Sequence, residues 1–98
     1  MHGQAPRLEH KQQNCIGRNL ARLRMEAGWS QEALAREAQL SGWDLDRSAI
    51  SKVEAGLRRV YDTEVWHFAR LLNCELAALY PGAATMETRL PPTLARGK

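Results

Sequence analysis

The stretch "RSAISKVEAG" at residues 47–56 reads as one short helix closed by a glycine, and its two sides differ in kind. At about 100° per residue, Ala49, Ile50, Val53 and Leu57 gather on one side and Arg47, Ser48, Ser51 and Lys52 on the other. The first set is a core face. The second lacks the Glu and Gln that a merely solvated helix usually displays. It combines short hydroxyls, which permit close approach, with long cations, which reach. Gly56 then turns the chain, and Arg58 and Arg59 follow directly.

Upstream, the apolar positions Ile16, Leu20, Leu23 and Ala27 form one stripe on a helix running from about Asn14 to Ala27. Gly28 supplies a left-handed stop, and Ser30 caps a second helix whose first residues, Gln31 and Glu32, meet the positive end of its dipole. That helix turns Leu34, Ala35 and Ala38 inward, and small alanines let another helix approach closely. Gly42 ends it, and Asp46 or Asp44 caps the helix at 47–55. Downstream, a fourth helix starts after Asp62 or Thr63 and carries Val65, Phe68, Ala69 and Leu72. Asn73 interrupts, and a short fifth helix with Leu76, Leu79 and Tyr80 ends at "YPG". Almost nothing reads as strand, so the class is all-α.

With 98 residues the chain has room for one small domain, which excludes a large substrate cleft. Its 14 Lys and Arg against 11 Asp and Glu give a net charge of only +3, so the local cluster of Lys52, Arg58 and Arg59 matters more than the total. Cys15 and Cys74 lack C-x-x-C spacing and a neighbouring His, which fits free thiols in a core and argues against a disulfide scaffold or a zinc site. No phosphate-cradling glycine loop, nucleophile–base set or metal spacing is present, so neither an enzyme nor a cofactor is expected. His67, between Trp66 and Phe68, reads as a surface residue. The first residues lack the apolar run of a signal peptide and no window approaches a membrane span, so a cytoplasmic protein is expected. Residues 1–13 read as a flexible arm, with Arg7 and Lys11 floating by default. Residues 14–82 form the domain. Residues 83–98 form a Pro-containing tail that is either flexible or a partner-docking segment built on Met86, Leu90 and Leu94.

Two short helices joined by a turn, the second with an apolar back and a front of Arg, Ser, Ser and Lys, make the arrangement a helix-turn-helix reader of DNA requires. Residues that touch base edges in the major groove are either short or long donors reaching guanine or phosphate. Ser48 and Ser51 are short, whereas Arg47 and Lys52 reach. Arg58 and Arg59 sit where cations neutralise phosphates flanking the groove, and Ser30 and Gln31 stand at another helix N-terminus, whose free N–H groups hold a phosphate oxygen.

The order "IGRNLARLRMEAGWSQEALA", "SAISKVEAG", "VWHFARLLNCELAALYPG" closely resembles the Cro/repressor-like helix-turn-helix regulators, also called the xenobiotic-response-element (XRE) type, over roughly residues 14–81. The resemblance implies a compact five-helix, lambda-repressor-like DNA-binding domain. It implies that Gln31 contacts a phosphate or base at the groove edge, that Arg47, Ser48, Ser51 and Lys52 face DNA, and that Arg24 pairs with Glu54 in a structural role. The capping-box spelling at Ser51 to Glu54 is then a false positive inside a helix.

The departure lies between the two reading helices, where the insertion at 39–45 makes the turn several residues longer than the family's usual one and leaves the angle of the third helix open. Trp43 reads as a plug over the widened corner, and Trp29 and Trp66 as core edges. The function expected is sequence-specific binding of double-stranded DNA by a transcriptional regulator. It is expected to act as a homodimer on a partly palindromic operator, because one short helix reads too few base pairs. By resemblance, the fifth helix and tail carry the dimer surface. The alternative is a protein-interaction module, such as the antitoxin of a toxin–antitoxin pair, using its tail.

Overall fold

The computed structural model describes residues 12–82. In chain order these form α1 (Gly17–Glu26), α2 (Gln31–Leu40), α3 (Arg47–Glu54), α4 (Asp62–Leu72) and one turn of 3-10 helix at Leu76–Leu79, with no strand among the described residues. Four α-helices and a 3-10 turn therefore stand where five helices were expected. The last segment is too short, and too close to Pro81, to continue as an α-helix.

Leu20 of α1, Leu34 and Ala38 of α2, Ile50 and Val53 of α3, Phe68 of α4 and Leu79 meet in the centre with no exposed surface. Burying each large apolar side chain contributes about 1.5–3 kcal/mol. α1 and α2 are joined by a tight stop and restart. Gly28 takes φ +80°, and the Ser30 hydroxyl oxygen accepts from the Ala33 N–H at 3.0 Å.

The longer turn between α2 and α3 is a closed structure. Gly42 takes φ +98°, the Ser41 hydroxyl donates to the Ala38 carbonyl at 2.6 Å, and the Gln39 amide donates to the Leu45 carbonyl at 3.0 Å. Trp43 covers the corner, its ring centroid 4.8 Å from that of Phe68 and 5.5 Å from that of His67. Leu45 is fully buried beside it, a second anchor that the sequence pattern did not single out. Asp46 caps α3, accepting from the Ala49 N–H at 2.8 Å.

Several boundaries and faces differ from the sequence expectations. α1 begins at Gly17 rather than Asn14, because the Asn14 side chain acts as the cap, accepting from the N–H groups of Ile16 and Gly17 at 3.0 and 2.8 Å. Ala27 lies past the end of α1 and is exposed. Leu57 is 65 % exposed instead of core-facing, since Gly56 at φ +77° ends the helical periodicity one residue earlier. α4 starts at Asp62, where the Glu64 carboxylate accepts from the Tyr61 N–H at 3.1 Å, so Glu64 does the capping assigned to Asp62 or Thr63. Trp66 is 49 % exposed, not a core edge. It stands on the outer side of α4 with the Arg70 guanidinium 5.0 Å from its ring. Trp29 is half-buried.

Burial first, and then the adjacent Glu75, push the Cys74 thiol above its ordinary pKa. The Gln13 N–H donates to the Gly56 carbonyl at 2.8 Å. Arg7 and Lys11 of the arm, and Met86, Leu90 and Leu94 of the tail, lie outside the described residues. Among the described residues no helix is long and apolar enough to cross a membrane.

Candidate nucleic-acid interface

α3 divides into two faces along its whole length. Ile50 and Val53 are fully buried, while Arg47, Ser48 and Lys52 are exposed and Ser51 lies half-buried on the shoulder between them. The turn after α3 closes back on this helix, so that Asp46, Ser48, Ala49, Lys52, Leu57, Arg58 and Arg59 line one shallow groove. Three cations and one carboxylate therefore share its walls. Apart from the capping Asp46 and the hydroxyl lone pairs, the polar side chains here are donors, a composition suited to an anionic surface rich in acceptors.

The loop carrying the two arginines is held at its backbone. The Asn14 amide donates to the carbonyls of Arg58 and Val53 at 2.8 and 3.1 Å, tying the start of α1 to the end of α3 and to the following turn. The Arg58 side chain is not free, however. Its two terminal nitrogens lie 3.3 and 3.4 Å from the Glu64 oxygens, so part of the charge read from the sequence is met within the chain. Arg59 is exposed.

Beneath α3 lies an ion pair that fixes its angle. Arg24 Nε donates to Glu54 Oε2 at 2.6 Å and Arg24 Nη2 to Oε1 at 3.1 Å, while Nη1 donates to the Trp29 carbonyl at 2.7 Å. The side chains keep only 11 % and 9 % of their surface, so solvent screens the pair weakly. Gln31, at the start of α2, donates to Glu54 Oε1 at 2.9 Å and accepts from Arg47 Nη1 at 3.3 Å. Arg24, Glu54, Gln31 and Arg47 thus form one connected chain of polar contacts. Ser30 is exposed at the head of α2; its oxygen is engaged in the cap and its O–H points no further than the helix end allows.

α1 and α3 touch at Gly17. A Cβ built there would lie 2.2 Å from the Val53 carbonyl oxygen and 2.8 Å from that of Glu54, so only glycine admits this approach. Asn14, Gly17 and Glu64 are the residues of this region that sequence reasoning passed over. Asn14 and Gly17 act across the fold and left no local pattern, whereas Glu64 stands three residues beyond Tyr61, a spacing that matches a capping acid.

Residues 16–79 match a protein family described as a helix-turn-helix domain. No curated protein and no solved structure matches the chain.

Proposed function

The chain belongs to the helix-turn-helix domain family, and from that premise we propose that it is a transcriptional regulator of the Cro/repressor-like branch that binds double-stranded DNA in a sequence-specific way. α3 is the helix that enters the major groove. Arg47, Ser48 and Ser51 approach base edges, while Lys52, Arg58 and Arg59 engage flanking phosphates and the head of α2 at Ser30 meets another. The observation that carries the reading is the two-faced α3. Its core side is fully buried, its other side presents hydroxyls and cations, and a buried ion pair fixes it in place.

A single helix of this length covers few base pairs, so the working form is a homodimer with two copies of α3 about one turn of DNA apart on a partly palindromic site. Such a regulator works in the cytoplasm.

The test is selection of bound sequences from a random duplex pool, followed by titration of the enriched duplex and of scrambled DNA at two salt concentrations. A two-fold motif preferred by about a thousandfold or more supports the reading. Weak binding that salt erases and that ignores sequence overturns it.

A further inference from the structure

We propose that Gln31 positions Arg47 for a guanine in the operator and does not itself touch DNA. The inference rests on the DNA-binding reading above and departs from the direct DNA contact implied for Gln31 by resemblance.

The direction of the Gln31 amide is dictated by its neighbours. A carboxylate only accepts and a guanidinium only donates, so Nε2 must face Glu54 and Oε1 must face Arg47, as the contacts at 2.9 and 3.3 Å have it. A glutamine that reads adenine needs its oxygen and its nitrogen together on one base edge. Here both ends are engaged within the protein. Gln31 is also only half-exposed, whereas Arg47 beyond it is fully exposed.

The other end of the relay is rigid. Glu54 is held by two contacts from Arg24, whose remaining terminal nitrogen is fixed on the Trp29 carbonyl. A long arginine side chain that would otherwise sample many rotamers is thereby referenced to the buried pair through one amide. Only Nη1 of Arg47 is engaged, which leaves Nε and Nη2 for a second, parallel pair of hydrogen bonds. That fork matches guanine O6 and N7, the commonest specific arginine contact in the major groove. Arg47 is the first residue of α3, the end of a recognition helix that meets base edges. The adjacent Asp46 carboxylate makes this end a poorer place for a phosphate than the groove of Lys52, Arg58 and Arg59.

The experiment uses the full chain and the duplex that it selects. Each guanine is replaced in turn by 7-deazaguanine, which lacks N7, and binding is measured for the natural protein, Arg47→Ala, Gln31→Ala, Gln31→Met and the double variant Gln31→Ala with Arg47→Ala. Thermal melting of each variant confirms that it is folded, and Gln31→Met keeps side-chain length while removing the amide.

The expected result is one guanine per half-site whose replacement weakens the natural protein roughly tenfold and leaves Arg47→Ala unaffected. Both Gln31 variants lose discrimination at that same guanine, and the double variant is no weaker than Arg47→Ala. If the Gln31 variants instead weaken binding to every duplex alike, flatten the salt dependence by about one phosphate contact and add to Arg47→Ala, then Gln31 touches DNA itself. In that case the relay is wrong while the DNA-binding reading stands. Absence of any preferred duplex for the natural protein removes both.

Discussion

Gly17 and Val53 sit so close that the backbone of α1 rests on the carbonyl end of α3, leaving no room for even one methyl group: a Cβ at Gly17 would be 2.2 Å from the Val53 oxygen. The obstacle is backbone, which cannot rotate away as a side chain does. Gly17→Ala should therefore destabilise the domain by about 1–3 kcal/mol, although alanine is intrinsically the better helix former by nearly 1 kcal/mol. Each kcal/mol lowers Tm by about 4–8 °C in a domain of this size. A thermal melt followed by circular dichroism reads the outcome directly, and an unchanged or higher Tm would rule out the close approach.

The Arg24–Glu54 pair makes a different kind of prediction. Removing one partner strands the other with little access to water, so Arg24→Ala or Glu54→Ala should each cost about 3–5 kcal/mol. The double variant should cost clearly less than the sum of the two, because no charge is left uncompensated. Denaturant titration of the four proteins gives the coupling. Strict additivity would mean that the two side chains do not form the pair described.

Arg58 and Glu64 set two roles of one carboxylate against each other. Glu64 accepts from the Tyr61 N–H at the head of α4 and also holds Arg58. Glu64→Gln keeps an acceptor for the cap but releases the arginine from a charged partner. Binding to any duplex should strengthen, and the slope of log K against log salt should steepen by up to about 0.9, with little change in Tm. A shallower slope would show that Glu64 orients Arg58 usefully rather than competing for it.

The tryptophans separate burial from mere presence on a helix. Trp43 packs against Phe68 at 4.8 Å, so Trp43→Ala should cost about 2–4 kcal/mol. Trp66 is 49 % exposed and its Arg70 contact is open to water, so Trp66→Ala should cost no more than about 1 kcal/mol. Comparison of the two melting temperatures checks the order, and equal losses would put Trp66 back in the core.

What could be read from the sequence was the chemistry that acts over three or four residues. Gly28, Ser30, Gly42 and Asp46 mark their helix ends because a cap or a left-handed turn is a local requirement, and the structure keeps all four in those roles. The inward faces of α2 and α4 followed from periodicity for the same reason. Periodicity misled at Leu57, where the count continued past a glycine that had already turned the chain. It was silent on Gly17, whose demand comes from Val53, 36 positions later (53 − 17). In the candidate interface the residue types on α3 were visible, but the hold of Glu64 on Arg58 and of Glu54 on Gln31 was not, since polar partners across a fold carry no spacing rule.

The two-faced character of α3 also bears on how such a protein diverges after gene duplication. Ser48 and Lys52 contribute little to the core, and exchanges at such surface sites usually shift stability by no more than about 0.5 kcal/mol. A descendant copy is therefore free to drift through many residue types at these positions without unfolding on the way. Arg47 is the exception, because its neighbour Gln31 is bound to the buried pair and a new residue there inherits that partner. Recognition in such a lineage should change quickly at 48 and 52 and slowly, in concert with 31, at position 47.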